Sequence, residues 1–353
     1  MWRKAVGFEE AVKLRTFETR DIFKRLGVIS PNRLFINNFP LANPTTVFNA
    51  SFIVERGEVA EVYARIVLGY FLYVSAIVRI EVPVSDILEG GISINYYSSE
   101  IVVYPSTRYD IWGCEDPRVY YIDGKLYMTY AGRSSQYFRP ATIERVLPVT
   151  AVSTGNGKSW SKLYVHTLPS SMRMKVETDK DAFIVKIGDD YYLFHRPHLW
   201  DGKHYLLVSK MGLPQLPNPG SPQEVSPVEM FEVMPIPDFE LKIGWACPVT
   251  VSSRRAVALV HGVDKELEVY RVFAVELELG KEIVVAALTP FYVMEPRTPY
   301  EIYGDRPYTI FPCGAQIVDN KLIVSYGAAD FMIGFAAADF SELMSALDKG
   351  RLY

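Results

Sequence analysis

Val119-Tyr-Tyr-Ile-Asp-Gly-Lys-Leu-Tyr-Met-Thr-Tyr130 is the stretch on which the fold turns. β-Branched and aromatic residues flank an Asp-Gly pair, a strong hairpin signal because a two-residue turn needs residues that tolerate positive φ. The pattern of strand, turn and strand recurs at Ser51–Tyr63, Phe183–Phe194, Val249–Val260 and Gln316–Tyr326. Its turns centre on Gly57, Gly124, Asp189, Arg254 and Asn320, at intervals of 67, 65, 65 and 66 residues. Five β-rich repeats of one period nearly fill the chain, and repeats that bury their edges by radial stacking make a propeller. The expected fold is therefore all-β: a five-bladed β-propeller with short flanking N- and C-terminal helices.

Composition agrees with a large soluble core. Of 353 residues 49% are hydrophobic, and 37 Lys+Arg against 41 Asp+Glu leave a formal charge of −4, which provides no basic footprint for nucleic acid. The longest apolar run, Ile66 to Val78, is bracketed by Arg65 and Arg79 and is too short to span a bilayer as a helix. Met1–Glu10 lacks the pattern of a signal peptide, so a cytoplasmic location is expected. Cys114, Cys247 and Cys313 are far apart, suggesting neither a disulfide framework nor a zinc site; they are expected to be buried. Only four Gln residues hint at a thermophilic host.

Three regions are expected. Residues 1–30 form an N-terminal extension with a helix over 8–26, whose apolar face offers a surface for self-association. Residues 31–338 form the propeller. Residues 339–353 form a C-terminal helix and tail, with Asp339 and Glu342 as a capping box ahead of Leu343, Met344 and Leu347, and Gly350 as the stop. Residues 211–238, rich in Pro and Gly, read as a long excursion between strands.

A hairpin returns its two outer ends to one face, so residues before its first strand and after its second emerge together. Those ends are chemically loaded. They carry Asn49 and Arg65; Glu115, Asp116, Arg118 and Tyr130; Lys180, Asp181, His195 and Arg196; Trp245 and His261; and Glu301, Tyr326 and Asp330. Charges of both signs converging on one mouth suit a small polar ligand such as a sugar or a phosphate. No P-loop, G-x-G-x-x-G or G-x-S-x-G stretch is present, and five His without H-E-x-x-H argue against catalytic zinc.

Gly113-Cys-Glu-Asp-Pro-Arg118, Lys180-Asp181, His195-Arg-Pro197, His261-Gly-Val263, Tyr300-Glu301, Phe311-Pro-Cys-Gly314 and Tyr326-Gly-Ala-Ala-Asp330 occur in an order and spacing that resembles glycoside hydrolase family 130, the β-mannoside phosphorylases and mannosidases. The resemblance runs from about Asn49 to the C-terminal helix and implies a five-bladed propeller. It implies inverting phosphorolysis of a β-mannoside or mannooligosaccharide to α-mannose 1-phosphate, with inorganic phosphate as co-substrate and neither metal nor organic cofactor. Asp116 would be the proton donor, acting through a sugar hydroxyl, and its neighbour Glu115 would help keep it protonated. Arg65, Lys180 and His261 would cradle phosphate with one further arginine among Arg133, Arg139 and Arg145, of which Arg145 is preferred. Asn49, Glu115, Arg118, Asp181, His195, Arg196, Glu301, Tyr326 and Asp330 would hold the sugar.

The stretches Lys242-Ile-Gly-Trp-Ala-Cys-Pro248 and Asp264-Lys-Glu-Leu-Glu268 depart from the family pattern and would line the leaving-group side. Two rivals remain: a β-mannosidase using Glu177 or Glu301 as the extra carboxylate that an inverting hydrolase requires, and a non-catalytic carbohydrate-binding propeller. His166, His198 and His204 are expected to have no catalytic part.

Overall fold

A computed structural model describes residues 2–55, 58–212 and 221–353. The chain is mostly antiparallel β-sheet in five like-built units. The first comprises Thr46–Glu55, Val59–Val67, Ser75–Pro83 and Tyr97–Val103; the second Cys114–Ile122, Lys125–Arg133, Val146–Gly155 and Ser159–His166; the third Val176–Ile187, Asp190–Leu199, Leu207–Met211 and Pro227–Glu232; the fourth Glu240–Ser252, Arg255–Asp264, Tyr270–Glu278 and Val284–Leu288. The fifth takes Ile310–Val318, Lys321–Ala328 and Met332–Asp339 from the C-terminal part, and its outermost strand, Lys24–Ile29, from the N-terminal part. The second and third units share one parallel pair, Val146 with Thr178, so the five units make four hydrogen-bonded sheets.

The expected turns at Gly124, Asp189, Arg254 and Asn320 are two-residue turns, closed by the pairs Ile122 with Lys125, Ile187 with Asp190, Ser252 with Arg255 and Val318 with Lys321. Positive φ falls on Asp123 (50°), Gly124 (72°), Gly188 (59°), Ser253 (52°), Asp319 (47°) and Asn320 (62°), the conformation such turns demand. The turn at Gly57 lies outside the described residues.

Five of the hydrophobic cores are each shared by two successive units. Ile53, Tyr63 and Ile77 of the first pack with Val119, Met128 and Val149 of the second; Val152 and Leu163 of the second meet Ile184 and Leu193 of the third; Phe183 and Phe194 of the third stack near Trp245 of the fourth. The fourth and fifth share Leu259, Val272, Val324 and Ala336. Ile323 and Phe335 of the fifth return to Val47, Phe52 and Val62 of the first. The first strand of each unit lies against the first strand of the next, and that of the fifth against that of the first. Each large apolar side chain buried in this way contributes about 1.5–3 kcal/mol.

The helix expected over 8–26 covers only Phe8–Leu14. Beyond it, the fully buried guanidinium of Arg15 pairs with Glu240 and bonds the carbonyls of Thr289 and Pro290. Backbone amides of Thr16, Arg20 and Ile22 then bond the carbonyls of Pro290, Tyr292 and Val293, and the chain enters the strand Lys24–Ile29. Partners on the fourth unit replace the hydrogen bonds that a helix would have supplied.

The C-terminal helix, Phe340–Asp348, buries Leu343 and Leu347 and leaves Met344 half-buried. Its expected capping box does not form, because Asp339 accepts from Lys321 at 2.5 Å instead. Strands Gln223–Val225 and Pro227–Glu232 lie within the expected 211–238 excursion, of which 213–220 fall outside the described residues. The three cysteines are free and buried. No helix among the described residues is long and apolar enough to cross a membrane.

Candidate active site

The site is built from one repeated irregularity. In every unit the ladder between the first and second strands slips at the same place: after Phe48, Glu115, Lys180, Trp245 and Pro312, at intervals of 67, 65, 65 and 67 residues. A bulge re-aims the side chains it carries. Asn49, Asp116 and Asp181 are the first residues displaced in their units, with φ of 48°, 53° and 58°. Asn and Asp are the side-chain-bearing residues that most readily accept this left-handed conformation.

Asp116 is 5% exposed. Its Oδ1 accepts from Asn49 Nδ2 at 2.8 Å and Arg65 Nη1 at 3.1 Å, and no bond to its Oδ2 is made among the described residues. The acceptor of that amide, Asn49 Oδ1, is buried without a partner among the described residues. Glu115 Oε1 accepts from Arg133 Nε at 2.8 Å and Arg65 Nη2 at 3.2 Å. Burial opposes its ionisation, but Arg133 and Arg65 outweigh burial and pull Glu115 down to about 2. Glu115 is thus a settled anion, spent on two arginines rather than on sugar.

Across the cup, Asp181 Oδ2 accepts from Arg196 Nε at 2.5 Å and stands 3.5 Å from His261 Nε2. Burial would raise Asp181, yet Arg196, His261, Arg118 and Lys180 hold it well below the ordinary carboxylate range. Lys180 is half-buried and makes no hydrogen bond or ion pair among the described residues; burial and Arg196 lower it, while Asp181, Glu115 and Asp116 oppose the shift. Asp116, Lys180 and His261 therefore belong to one electrostatic cluster. Burial drives His261 well below its ordinary value, and Arg196 and Lys242 add to the effect against the pull of Asp181. The imidazole expected to help cradle phosphate packs on Phe311 and Tyr270, with Nε2 turned to Asp181.

Gly244 makes the contact of His261 with Asp181 possible. A Cβ there would lie 2.6 Å from Asp181 Oδ2 and 2.7 Å from His261 Nε2, both on side chains already held in place. We expect Gly244→Ala to retain the fold at a cost of about 1–3 kcal/mol and to lower kcat/KM roughly 10²-fold, the effect of misplacing catalytic groups by an ångström. Steady-state kinetics beside thermal melts check this. Unchanged kinetics would show that the Asp181–His261 geometry is dispensable.

Asp330, at φ 50° in the fifth unit, is pushed up to about 6 by burial, with Asp116 and Asp305 acting the same way and Arg306 and Arg65 opposing. A carboxyl raised above its unfolded value stabilises the fold below that value, and this stability is lost as pH rises through the folded one. Between pH 4 and 7 the wild-type melting temperature should therefore fall relative to that of Asp330→Asn. Parallel melting curves across this window would contradict the assignment.

Several expected site residues are placed elsewhere. Arg118 is 1% exposed and spends its guanidinium on the carbonyls of Asp116, Trp245 and Ala246, so it braces the Asp116 bulge from behind. His195 is locked between Asp179 and Ser209 at 2.7 Å each. Tyr326 donates to Glu301 Oε1 at 2.7 Å, and Glu301 also accepts from Arg25 Nε and the amides of Arg297 and Thr298; neither residue has exposed surface. That cluster has enough donors of its own and none left for a sugar.

Of the three competing arginines, Arg133 reaches Glu115, Arg145 pairs with Glu177 at 2.6 Å, and Arg139 is exposed. Side chains from adjoining units complete the site. Glu177 Oε2 lies 3.2 Å from His198 Nδ1, and His204 Nδ1 accepts from Arg196 at 2.5 Å. His204 is pulled down to about 2 by burial and Arg196. Lys242 and Arg306 sit over the Tyr270 ring at 5.3 and 5.1 Å. Burial, Arg196 and Lys180 lower Lys242 to about 7. Lys242 follows Glu177 by 65 residues, the repeat interval, and that spacing was the signal available for it.

A family model described as beta-1,4-mannooligosaccharide phosphorylase matches residues 13–349. A beta-1,2-mannobiose phosphorylase of Thermoanaerobacter sp. (strain X514) is 30% identical over 255 residues, 71% of this chain and 74% of that protein. A 1,2-beta-oligomannan phosphorylase of the same organism is 26% identical over 306 residues, 84% and 91% of the two chains. Among solved structures, a beta-1,2-mannobiose phosphorylase from Listeria innocua superposes with a TM-score of 0.70 at 18% identity, over 93% of this chain and 99% of that one. A match over nearly the whole length, on a scaffold of five like-built units, shows that the chain belongs to glycoside hydrolase family 130.

Proposed function

We propose that the protein is an inverting phosphorylase that moves a mannosyl unit from a β-mannoside to inorganic phosphate, on a closed five-bladed propeller. The cyclic sharing of cores, fifth with first included, supports the closed ring. The observation that carries the chemistry is Asp116, a bulge carboxyl whose Oδ2 is free of partners among the described residues, beside the unpaired ammonium of Lys180. Asn49 and Arg65 both bond Oδ1, so Oδ2 is the oxygen through which Asp116 can pass a proton.

In the step itself, a phosphate oxygen bonds to C1 from the face opposite the leaving sugar while the C1–O glycosidic bond breaks. Asp116 supplies a proton to the departing oxygen, and the P–OH proton of the newly formed ester returns to the carboxylate. Phosphate arrives as an anion and needs cations, whereas water needs a carboxylate base. Of the two carboxylates weighed for that base, Glu301 is buried with Arg25 and Tyr326, and Glu177 is engaged by Arg145 and His198.

Incubation with β-1,2- and β-1,4-linked mannobioses, with and without phosphate, tests the proposal. α-Mannose 1-phosphate formed only in the phosphate tubes supports it. Free mannose released at equal rate without phosphate would assign a hydrolase and turn attention to Glu177. Binding without turnover in either tube would assign a lectin-like propeller.

A further inference from the structure

Two loops leave the strand ends that carry the site arginines: residues 68–74 follow Val59–Val67, which bears Arg65, and residues 134–145 follow Lys125–Arg133. Between them they present five aromatic side chains, four of which touch one another, with Phe71 next to Tyr70 in sequence. Tyr73 stacks on Tyr137 at 5.1 Å and 29°, with Phe138 at 6.2 Å and Tyr70 at 5.7 Å from it, and Tyr137 meets Phe138 at 5.3 Å. Phe71 is 86% exposed and Phe138 64%. A contiguous exposed aromatic patch marks a binding surface rather than a packing element.

We infer that these rings form a platform for the sugar units beyond the first leaving unit, so that the enzyme acts on chains of three or more sugars better than on a disaccharide. This deepens the phosphorylase reading and rests on it. The patch is continuous with the site. The Arg133 guanidinium lies 4.8 Å over the Tyr137 ring and bonds Glu115, the neighbour of Asp116. On the far side, Tyr73 Oη is 3.3 Å from Asp305, next to Arg306, whose charge is felt at both Tyr137 and Asp330.

A chain with one unit held at Asp116 must leave the cup across this surface. Tyrosine combines an apolar ring face with a hydroxyl, the pairing that a sugar's C–H face and rim of hydroxyls require. Arg133, Asp305 and Arg306 border the rings with hydrogen-bonding groups, which favours an oligosaccharide over the apolar face of a second copy of this chain.

The double variant Phe71→Ala/Phe138→Ala removes two exposed rings that contact none of the acid or phosphate groups. We expect its kcat/KM for mannobiose with phosphate to match wild type and its kcat/KM for mannotetraose to fall about tenfold, chiefly through KM, as loss of aromatic stacking does. Calorimetric affinity for the two sugars should change in the same ratio. Equal losses on both substrates, or none on either, would overturn the platform. So would conversion of a wild-type oligomer to monomer, seen by sedimentation, with oligosaccharide kinetics unchanged. If wild type turns over neither sugar with phosphate, the phosphorylase reading fails while the affinity ratio still reads the platform.

Discussion

Asp116→Asn should abolish mannoside turnover by about 10³-fold in kcat, within the range for a lost general acid, while leaving KM for the sugar within a few-fold. An amide keeps the size of the carboxyl and an oxygen to accept from Asn49 and Arg65, but it has no proton to give the leaving oxygen. Because the residue sits at φ 53° in a bulge, Asn is also the replacement that the backbone tolerates best. Kinetics on mannobiose with phosphate, beside sugar affinity by calorimetry, separate the two effects. Retained turnover would remove Asp116 from the chemistry whatever its place at the centre of the cup.

Arg65→Ala should be the most destabilising single change at the site. One guanidinium bonds Asp116 and Glu115 together, and its Nε donates to Ser75 Oγ at 2.8 Å. Removing it leaves two nearly buried carboxyls, one of them firmly ionised, with fewer donors. Breaking a buried ion pair from one side costs about 3–5 kcal/mol. Denaturant unfolding should record a loss of that order, and the companion Arg65→Ala/Glu115→Gln should recover part of it. A midpoint equal to wild type would mean that Arg133 alone compensates both carboxyls.

The hairpins could be read from the sequence because their turns are local: Asp123-Gly124 and Asp319-Asn320 need positive φ and carry residues that accept it. Asn49, Asp116 and Asp181 were also visible, although as motif members rather than as bulge residues. Strand Lys24–Ile29 was not, since Lys24-Arg-Leu-Gly-Val-Ile has no alternation and its partners lie more than 300 residues away. Glu301 and Tyr326 misled because position at a strand end does not say which side of the ladder a side chain faces. Arg306 was missed, and Glu177, His198, His204 and Lys242 were not read as one group with it, because adjacency between units, not between neighbours in sequence, brings them together.

The N-terminal origin of the fifth unit's outer strand has a consequence for biosynthesis. As the polypeptide leaves the ribosome, Lys24–Ile29 emerges early and has no mate until Met332–Asp339 has been made. Four units can assemble in turn during translation, but the fifth can finish only after elongation is nearly over. Until then an unpaired segment trails from the nascent protein, which makes that interval its period of greatest exposure to aggregation and proteolysis.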